Sequence, residues 1–268
     1  MPHLHRLRPI VGRLKRFGRH WNTLGHDPYG AILTGPGGEN VPWTEEEFFA
    51  TGRTDATQFL ANLDRIVPDV ARERALDFGC GVGRVTRALA EHFESVVGVD
   101  VAETMIARAR TLNHDRPNCR FLWNRSVHLR QFDEGSFDVV YSRLVLQHIP
   151  PRLLRRYIPA LVRVTRRRGM LMFQLPDVIA EDSEEAFRDA AVVGNPLKRR
   201  LPRALVRAYR LAKYRFLVDE SAPRMLMFGM PRDSVVSLVQ RAGGQIVTIQ
   251  PDQAHGTDAP GFEYWVTK

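Results

Sequence analysis

Cysteine is scarce in this chain of 268 residues, which contains only Cys80 and Cys119. Two cysteines cannot build a multi-disulfide framework or a four-cysteine zinc site, so we expect no structural metal and take the reducing cytoplasm as the simplest location. Long apolar runs are also missing. None approaches the ~20 residues that a membrane-spanning helix needs, and the N-terminus lacks the apolar centre of a secretion signal.

Acidic residues are outnumbered: 30 Asp and Glu face 39 Lys and Arg, which gives a formal net charge of +9. At the N-terminus, basic residues surround apolar positions spaced by three or four, and this predicts a basic amphipathic helix starting near Pro9. Two further basic stretches cover residues 152–168 and 198–215. They lack interleaved aromatics and accompany no nucleic-acid module, which disfavours nucleic acid as a partner. Solvated helix faces, a phosphate-bearing acceptor and peripheral contact with the inner face of an anionic membrane remain open explanations.

The apolar residues, 44% of the chain, fall into a regular alternation from Arg74 onward. Short β-branched runs alternate with helical stretches, which predicts a parallel sheet covered by helices on both faces. The predicted strands are Ala75–Phe78, Val96–Val99, Arg120–Trp123, Phe137–Ser142, Met170–Leu175, Gln245–Gln250 and Phe262–Thr267. The predicted helices are Trp43–Val67, with a Thr44/Glu47 capping box, Arg84–His92, Ala102–Leu112, 151–164 and 231–242.

Residues 177–230 break the alternation, and we interpret them as a helical insertion with helices near 181–191 and 201–216. The predicted organisation is therefore a basic helix and loop over residues 1–42, followed by one α/β domain over residues 43–268. The N-terminal helix and the insertion would form a lid over the ligand-binding edge of the sheet.

Three glycines at alternate positions, Gly79, Gly81 and Gly83, join the first predicted strand to its helix. In this strand-turn-helix context the backbone can turn tightly and approach a ligand, and Asp100 ends the next strand, where a carboxylate can hold two ribose hydroxyls. A nicotinamide-binding fingerprint would need Gly or Ala at Arg84, and Asp77 would repel a pyrophosphate. A cationic cofactor suits the turn better.

The segment from Asp77 to Gly83 resembles the first motif of class I S-adenosylmethionine-dependent methyltransferases, and the closing part of the chain looks like bacterial small-molecule members. The resemblance implies a Rossmann-like seven-stranded sheet of order 3-2-1-4-5-7-6 with the last strand antiparallel. It further implies that Gly79, Cys80, Gly81 and Gly83 wrap the methionyl group of S-adenosylmethionine, with Asp77 near its ammonium and Asp100 on the ribose.

Other pocket residues follow from the same resemblance and from the edge of the sheet where ligands bind. Val101 and Met105 fall near the adenine face. Asn124 stands where many relatives carry an Asp that accepts from the adenine amino group, and it could accept through its amide oxygen. Arg143 and His148 follow the fourth strand, and His148 could act as a general base, although a structural role is the competing interpretation.

Methyl transfer from a sulfonium is an in-line displacement that needs positioning and a dry pocket more than a catalytic motif. The sequence predicts O- or N-methylation of a small-molecule or glycosidic acceptor and leaves the acceptor atom and the oligomeric state open. Two alternatives remain at this stage: a non-catalytic cofactor-binding or scaffold protein of the same fold, and an RNA methyltransferase.

Overall fold

The computed structural model describes residues 3–33, 42–177, 227–252 and 260–268, with the backbone alone at residues 3–11 and 13. The helices are α1 (His3–Leu24), α2 (Glu45–Ile66), α3 (Arg84–Leu89), α4 (Glu103–Leu112), α5 (Pro151–Val164) and α6 (Arg232–Arg241). The strands are β1 (Arg74–Phe78), β2 (Ser95–Asp100), β3 (Cys119–Trp123), β4 (Phe137–Ser142), β5 (Thr165–Pro176), β6 (Gln245–Asp252) and β7 (Gly261–Thr267). Both predicted insertion helices and most of the predicted insertion lie outside the described residues.

The seven strands form one sheet of order β3-β2-β1-β4-β5-β7-β6, as predicted. Strands β3, β2, β1, β4 and β5 pair in parallel, and β7 pairs antiparallel with both β5 and β6. The order reverses between β1 and β4, whose carboxyl ends therefore flank a crevice. None of the described helices is long and apolar enough to cross a lipid bilayer.

Alternating side chains of the strands serve the two faces of the sheet. Leu76 and Phe78 of β1 pack into one core cluster with α5 and α6, whereas Ala75 packs into a second cluster with α2 and α3. Helix α2 approaches α3 closely at Gly52, where a Cβ would lie 2.2 Å from the Arg84 carbonyl oxygen. This close contact brings the side chains of α2 to the beginning of α3.

Several predicted boundaries are wrong, and the two largest differences are at the beginnings of α1 and β5. Helix α1 begins at His3 rather than near Pro9, because proline is compatible with a helix's first turn but does not require the helix to start there. Strand β5 begins at Thr165 rather than Met170, directly after α5, and includes Arg166, Arg167 and Arg168. A basic run at a strand's entrance has the composition of a solvated helix end, which explains the error. The predicted capping box of α2 is present, with Thr44 and Glu47 each accepting from the other's backbone N–H.

Candidate functional site

A pocket opens at the carboxyl ends of β1, β2 and β4, at the point where the strand order reverses. It brings together nearly all the residues that the sequence nominated. These are Asp77, Gly79, Cys80, Gly81, Asp100, Val101, Met105, Asn124, Arg143 and His148. Gly83 does not line this pocket: it precedes α3, and a Cβ there would meet Asn113 and Phe121 behind the turn.

The turn after β1 presents backbone to the pocket. Gly79 and Gly81 have φ of 82° and 52°, in the left-handed region that side chains disfavour. A Cβ on Gly79 would lie 2.3 Å from a methyl group of Val145. The Gly79 N–H donates to the Val99 carbonyl at 2.8 Å, which fixes the turn between β1 and β2. No larger residue fits at Gly79 without moving the wall of the pocket.

The Asp100 carboxylate is held by backbone donors. One oxygen accepts from the Gly81 N–H at 3.0 Å, and the other accepts from the Ala102 N–H at 2.8 Å. Burial raises the pKa of Asp100, and these backbone donors oppose that shift. Each carboxylate oxygen keeps further accepting capacity, so the group is oriented in advance to accept from two neighbouring hydroxyls.

Asp77 is only 4% exposed and accepts a hydrogen bond from the Thr86 hydroxyl at 2.6 Å. Burial raises the pKa of Asp77 to about 6, although the Thr86 hydrogen bond and the Arg84 charge act against this shift. Arg84 is itself paired with Asp55 at 2.7 Å. Because Asp55 compensates the nearby guanidinium, Asp77 keeps the electrostatic capacity to attract a ligand cation.

A charged cluster lies on the β4 side of the pocket around Arg143. Its guanidinium donates to Asp55 at 2.6 Å and lies 3.5 Å from Asp252 and 3.8 Å from Glu263. The neighbouring Tyr141 is 1% exposed, and its hydroxyl has no hydrogen-bond partner among the described residues. This side of the pocket thus carries charges of both signs and a spare polar group.

The chain leaves β4 through a strained turn. Leu144 has a φ of 59°, which is unusual for a branched side chain, and its N–H donates to the buried Gln174 side-chain oxygen at 2.9 Å. Val145 then faces Gly79, and His148 ends a short 3-10 helix. The Gln174 contact therefore determines how Arg143 and Val145 meet the pocket.

His148 is buried and packs edge-on against Trp21 of α1, with ring centroids 5.4 Å apart. One ring nitrogen, Nε2, lies 3.2 Å from the side-chain nitrogen of Gln147. The structure thus places His148 at the pocket wall, while its role as a base stays a prediction. Cys80 also lines the pocket, but burial raises the pKa of its thiol well above the usual value, which makes it an unreactive apolar contact.

The N-terminal segment closes the pocket from above. Phe17 and Trp21 of α1 line it together with Ala31 and Ile32. The helix is anchored by Asn22, whose side-chain oxygen accepts from the Thr104 N–H at 3.2 Å. The sequence predicted the N-terminal helix as part of a lid, but it did not predict that Phe17 and Ile32 line the pocket. The spacing of Phe17 and Trp21 by one helical turn was the signal that could have identified them as one face.

Asn124 and Tyr157 line the same pocket near Asp100. The Asn124 side-chain nitrogen donates to the Tyr157 hydroxyl oxygen at 3.2 Å, and both residues are at most 2% exposed. The sequence nominated Asn124 but missed Tyr157, which lies 33 positions away on α5. An adenine contact by Asn124 stays a prediction.

Comparison with known proteins agrees with this geometry. A family model described as "Methyltransferase domain" matches residues 76–173, which run from β1 to β5 and supply most of the pocket. Residues 76–173 therefore match a methyltransferase domain, and the sheet around them has the order of the Rossmann-like class I methyltransferase fold. The matched part of the methyltransferase domain includes the glycine turn, Asp100, Asn124 and His148.

Relatives of this methyltransferase domain differ in what their names say they methylate. The chain is 32% identical over 138 residues to trans-aconitate 2-methyltransferase of Enterobacter sp. (strain 638), covering 50% of this chain and 52% of the relative. It is 32% identical over 117 residues to phosphoethanolamine N-methyltransferase 3 of Arabidopsis thaliana, covering 42% and 23%. The chain spans about half the length of the first trans-aconitate methyltransferases that it matches.

Solved structures share the fold. Magnesium protoporphyrin IX methyltransferase from Synechocystis PCC 6803, with bound SAH, has a TM-score of 0.58 at 15% sequence identity and covers 94% of this chain and 97% of that one. At this identity the likeness concerns the fold alone.

Proposed function

We propose that the chain transfers the methyl group of S-adenosylmethionine to a small-molecule acceptor. The observation that carries this proposal is the convergence of Asp77, the Gly79–Gly81 turn and Asp100 in one pocket at the switch point of the sheet. Asp77 suits the ammonium group of the cofactor, the glycine turn suits its methionyl chain, and Asp100 suits its ribose. The whole chain's activity is our inference from this pocket.

The lining fits the cofactor's chemistry from end to end. Asp77 would hold the methionyl ammonium. The mixed charges around Arg143 suit a zwitterionic amino-acid group, as does the Tyr141 hydroxyl, which has no partner among the described residues. The backbone of Gly79 and Gly81 leaves room for the chain, and Asp100 would accept from the ribose. Val101 and Met105 would supply apolar surface at the adenine, with Asn124 at its edge.

Bound S-adenosylmethionine supplies a sulfonium methyl group, which an acceptor displaces in line. The protein's part is to orient the acceptor and exclude water. Phe17, Trp21 and Ile32 cover the pocket with apolar surface, and the strained turn at Leu144 forms another part of its wall. His148, beside Trp21, would accept a proton from a hydroxyl or amine acceptor, whereas a carboxylate acceptor would need no base.

We propose the acceptor only as a class of small molecule. The relatives named for trans-aconitate and phosphoethanolamine carry carboxylate and phosphate groups on their acceptors, and we extend to this chain only an anionic or glycosidic small acceptor. A His148→Asn variant separates the acceptor chemistries. We expect a loss of kcat of about 100-fold for a hydroxyl or protonated amine and little change for a carboxylate.

The decisive test is calorimetric titration of S-adenosylmethionine and, separately, NAD into the full chain. We expect the sulfonium cofactor alone to bind and Asp100→Ala to abolish measurable binding. Asp69→Ala is the matched control, because Asp69 is an exposed carboxylate outside the pocket. Binding of NAD, or of neither ligand, would refute the proposal. Cofactor binding without turnover on any acceptor class would favour the scaffold alternative, and a salt-sensitive affinity for RNA would favour an RNA methyltransferase.

A second proposal concerns location. We infer that the chain is cytoplasmic, since Cys80 and Cys119 are both free thiols, and that it touches anionic membrane surfaces through α1. Lys15, Arg16 and Arg19 are exposed on α1, whereas Leu14 and Gly18 are buried against the domain. Because its inner face is anchored to the domain, α1 can lie with its basic outer face along a lipid surface while it stays folded.

A further inference from the structure

The hydroxyl group of Tyr157 lies at the nucleoside end of the pocket. Its ring packs on Phe78 at the end of β1, with centroids 5.0 Å apart, and the residue is 1% exposed. Asp100 is close enough to contribute to the raised pKa of this hydroxyl, although burial is the larger cause. The hydroxyl therefore keeps its hydrogen at neutral pH and can act as a donor.

The orientation of the Asn124 side chain decides which way that hydrogen points. The amide oxygen of Asn124 accepts from the Ser126 N–H at 3.1 Å and also lies 3.4 Å from the Gln131 side-chain nitrogen. A backbone N–H can only donate, so the oxygen must face Ser126 and the flipped amide is excluded. The amide nitrogen consequently faces Tyr157 and donates to its oxygen.

A hydroxyl that accepts from an amide N–H must direct its own hydrogen elsewhere. Asn124 is the only hydrogen-bond partner of the Tyr157 hydroxyl within the part of the chain that the structure describes. A buried donor without an acceptor is destabilising, and such groups in native proteins usually have a partner. The pocket that Tyr157 lines is the direction in which an acceptor can be supplied.

We propose that the Tyr157 hydroxyl donates a hydrogen bond to the nucleoside part of S-adenosylmethionine, and that Asn124 aims this hydroxyl at the pocket. The proposal rests on the proposed function. The acceptor atom on the ligand is an adenine ring nitrogen or a ribose oxygen, since both are hydrogen-bond acceptors within the nucleoside. A carboxylate at position 124 would accept the hydroxyl's hydrogen and turn it away from the ligand, which gives a physical reason for Asn at this position.

The test is a binding comparison that requires no turnover. S-adenosylhomocysteine, its 1-deaza, 3-deaza and 7-deaza adenine analogues, and its 2′-deoxy and 3′-deoxy ribose analogues are titrated into the full chain and into Tyr157→Phe. In the unaltered chain, we expect one analogue to bind about tenfold more weakly than S-adenosylhomocysteine. In Tyr157→Phe, we expect that analogue and S-adenosylhomocysteine to bind with equal affinity. A deaza analogue identifies adenine as the acceptor, and a deoxy analogue identifies the ribose.

Two further variants make the result specific. Asn124→Asp keeps the tyrosine ring and should lose the same discrimination, because the hydroxyl then donates to the carboxylate. Tyr264→Phe is the matched control: its hydroxyl is also buried and has no hydrogen-bond partner among the described residues, but Tyr264 lies on β7 outside the pocket, so discrimination should persist. If Tyr157→Phe discriminates among the analogues as the unaltered chain does, the inference is wrong. If S-adenosylhomocysteine does not bind the unaltered chain, the proposed function fails as well.

Discussion

Asp77 and Asp100 are two buried carboxylates in one pocket, and the protein stabilises them differently. Backbone N–H groups hold both oxygens of Asp100, whereas Asp77 has the Thr86 hydroxyl and the partly compensated charge of Arg84. Burial raises the pKa of both groups. Asp100 is thus held in one orientation by the backbone, while Asp77 gains most from a ligand that brings a positive charge.

The first prediction concerns the pH dependence of cofactor affinity. Burial raises the pKa of Asp77 to about 6, above its value in an unfolded chain, so ionising Asp77 destabilises the free protein as the pH rises through 6. A bound ammonium favours the ionised form. Affinity for S-adenosylhomocysteine should therefore fall about tenfold from pH 7 to pH 5. Calorimetry should show that Asp77→Asn binds S-adenosylhomocysteine more weakly and that its affinity changes less with pH. If the affinity of Asp77→Asn fell as steeply with pH as that of the unaltered chain, Asp77 would not be the group that titrates.

The second prediction concerns backbone strain at Gly79. Gly79→Ala combines a φ of 82° with a Cβ placed 2.3 Å from Val145, whereas Gly243→Ala has a φ of 85° and nothing within 4 Å. Both variants share a strained φ, at about 1 kcal/mol, but only Gly79→Ala adds a steric clash, for a total of about 3 kcal/mol. Chemical denaturation measures the free energy of unfolding of both variants. Equal losses of this free energy would show that Val145 moves aside at no cost.

At the scale of elements, α1 is joined to α4 by a cap that crosses between helices. The N-cap of α4 is Ala102, which has no capping side chain, and Asn22 of α1 accepts from the Thr104 N–H instead. Close packing accompanies this hydrogen bond, since a Cβ on Gly18 would lie 3.0 Å from the Val101 carbonyl oxygen. The helix that covers the pocket is consequently tied to α4, which follows the strand that ends in Asp100.

The third prediction tests this tie. Asn22→Ala should destabilise the domain by about 1 kcal/mol, as loss of a helix cap does, and should weaken S-adenosylhomocysteine binding because Phe17 and Trp21 lose their support. Hydrogen exchange should accelerate in residues 14–24 and in the first turn of α4. Thr23→Ala is the control, since among the described residues the Thr23 hydroxyl has no hydrogen bond with α4 and donates to the Arg19 carbonyl within α1. Similar exchange in both variants would contradict the capping role.

Elements with a strong periodic signal were predictable, and long-range polar partners were not. The strands β1, β2 and β4 were predicted within a residue because buried parallel strands form continuous apolar runs between turns. The glycine turn and Asp100 followed from their positions at strand ends. The pairing of Asp55 with Arg143 joins residues 88 apart, and no local pattern encodes it. The direction of the Tyr157 hydroxyl likewise depends on a hydrogen bond between Asn124 and Ser126 that only the fold reveals.

At the scale of the whole molecule, the basic residues that give the chain its net charge of +9 occupy two kinds of site. Arg84 is buried and Arg143 is half-buried beside carboxylates, and both line the pocket. Lys15 and Arg19 are exposed on the outer face of α1, the helix whose inner face covers that pocket. The surface charge and the cofactor lid therefore belong to one element, and an anionic surface bound by α1 would lie next to the pocket.

The fourth prediction concerns that surface. The chain should co-sediment with vesicles containing phosphatidylglycerol and remain in the supernatant with pure phosphatidylcholine, and the binding should weaken as salt rises. Reversing Lys15 and Arg19 to Glu should lower the partition coefficient at least 30-fold, since each basic residue near an anionic membrane contributes about 1 kcal/mol.

The control for net charge is the double variant Arg53→Glu with Arg65→Glu, which makes the same charge change on exposed positions of α2. Net charge alone would weaken vesicle binding equally in both double variants and would refute a specific role for α1. A much larger loss for Lys15→Glu with Arg19→Glu would locate the contact on the lid. In that case vesicles should also change the affinity for S-adenosylhomocysteine, because the helix that binds lipid carries Phe17 and Trp21 into the pocket.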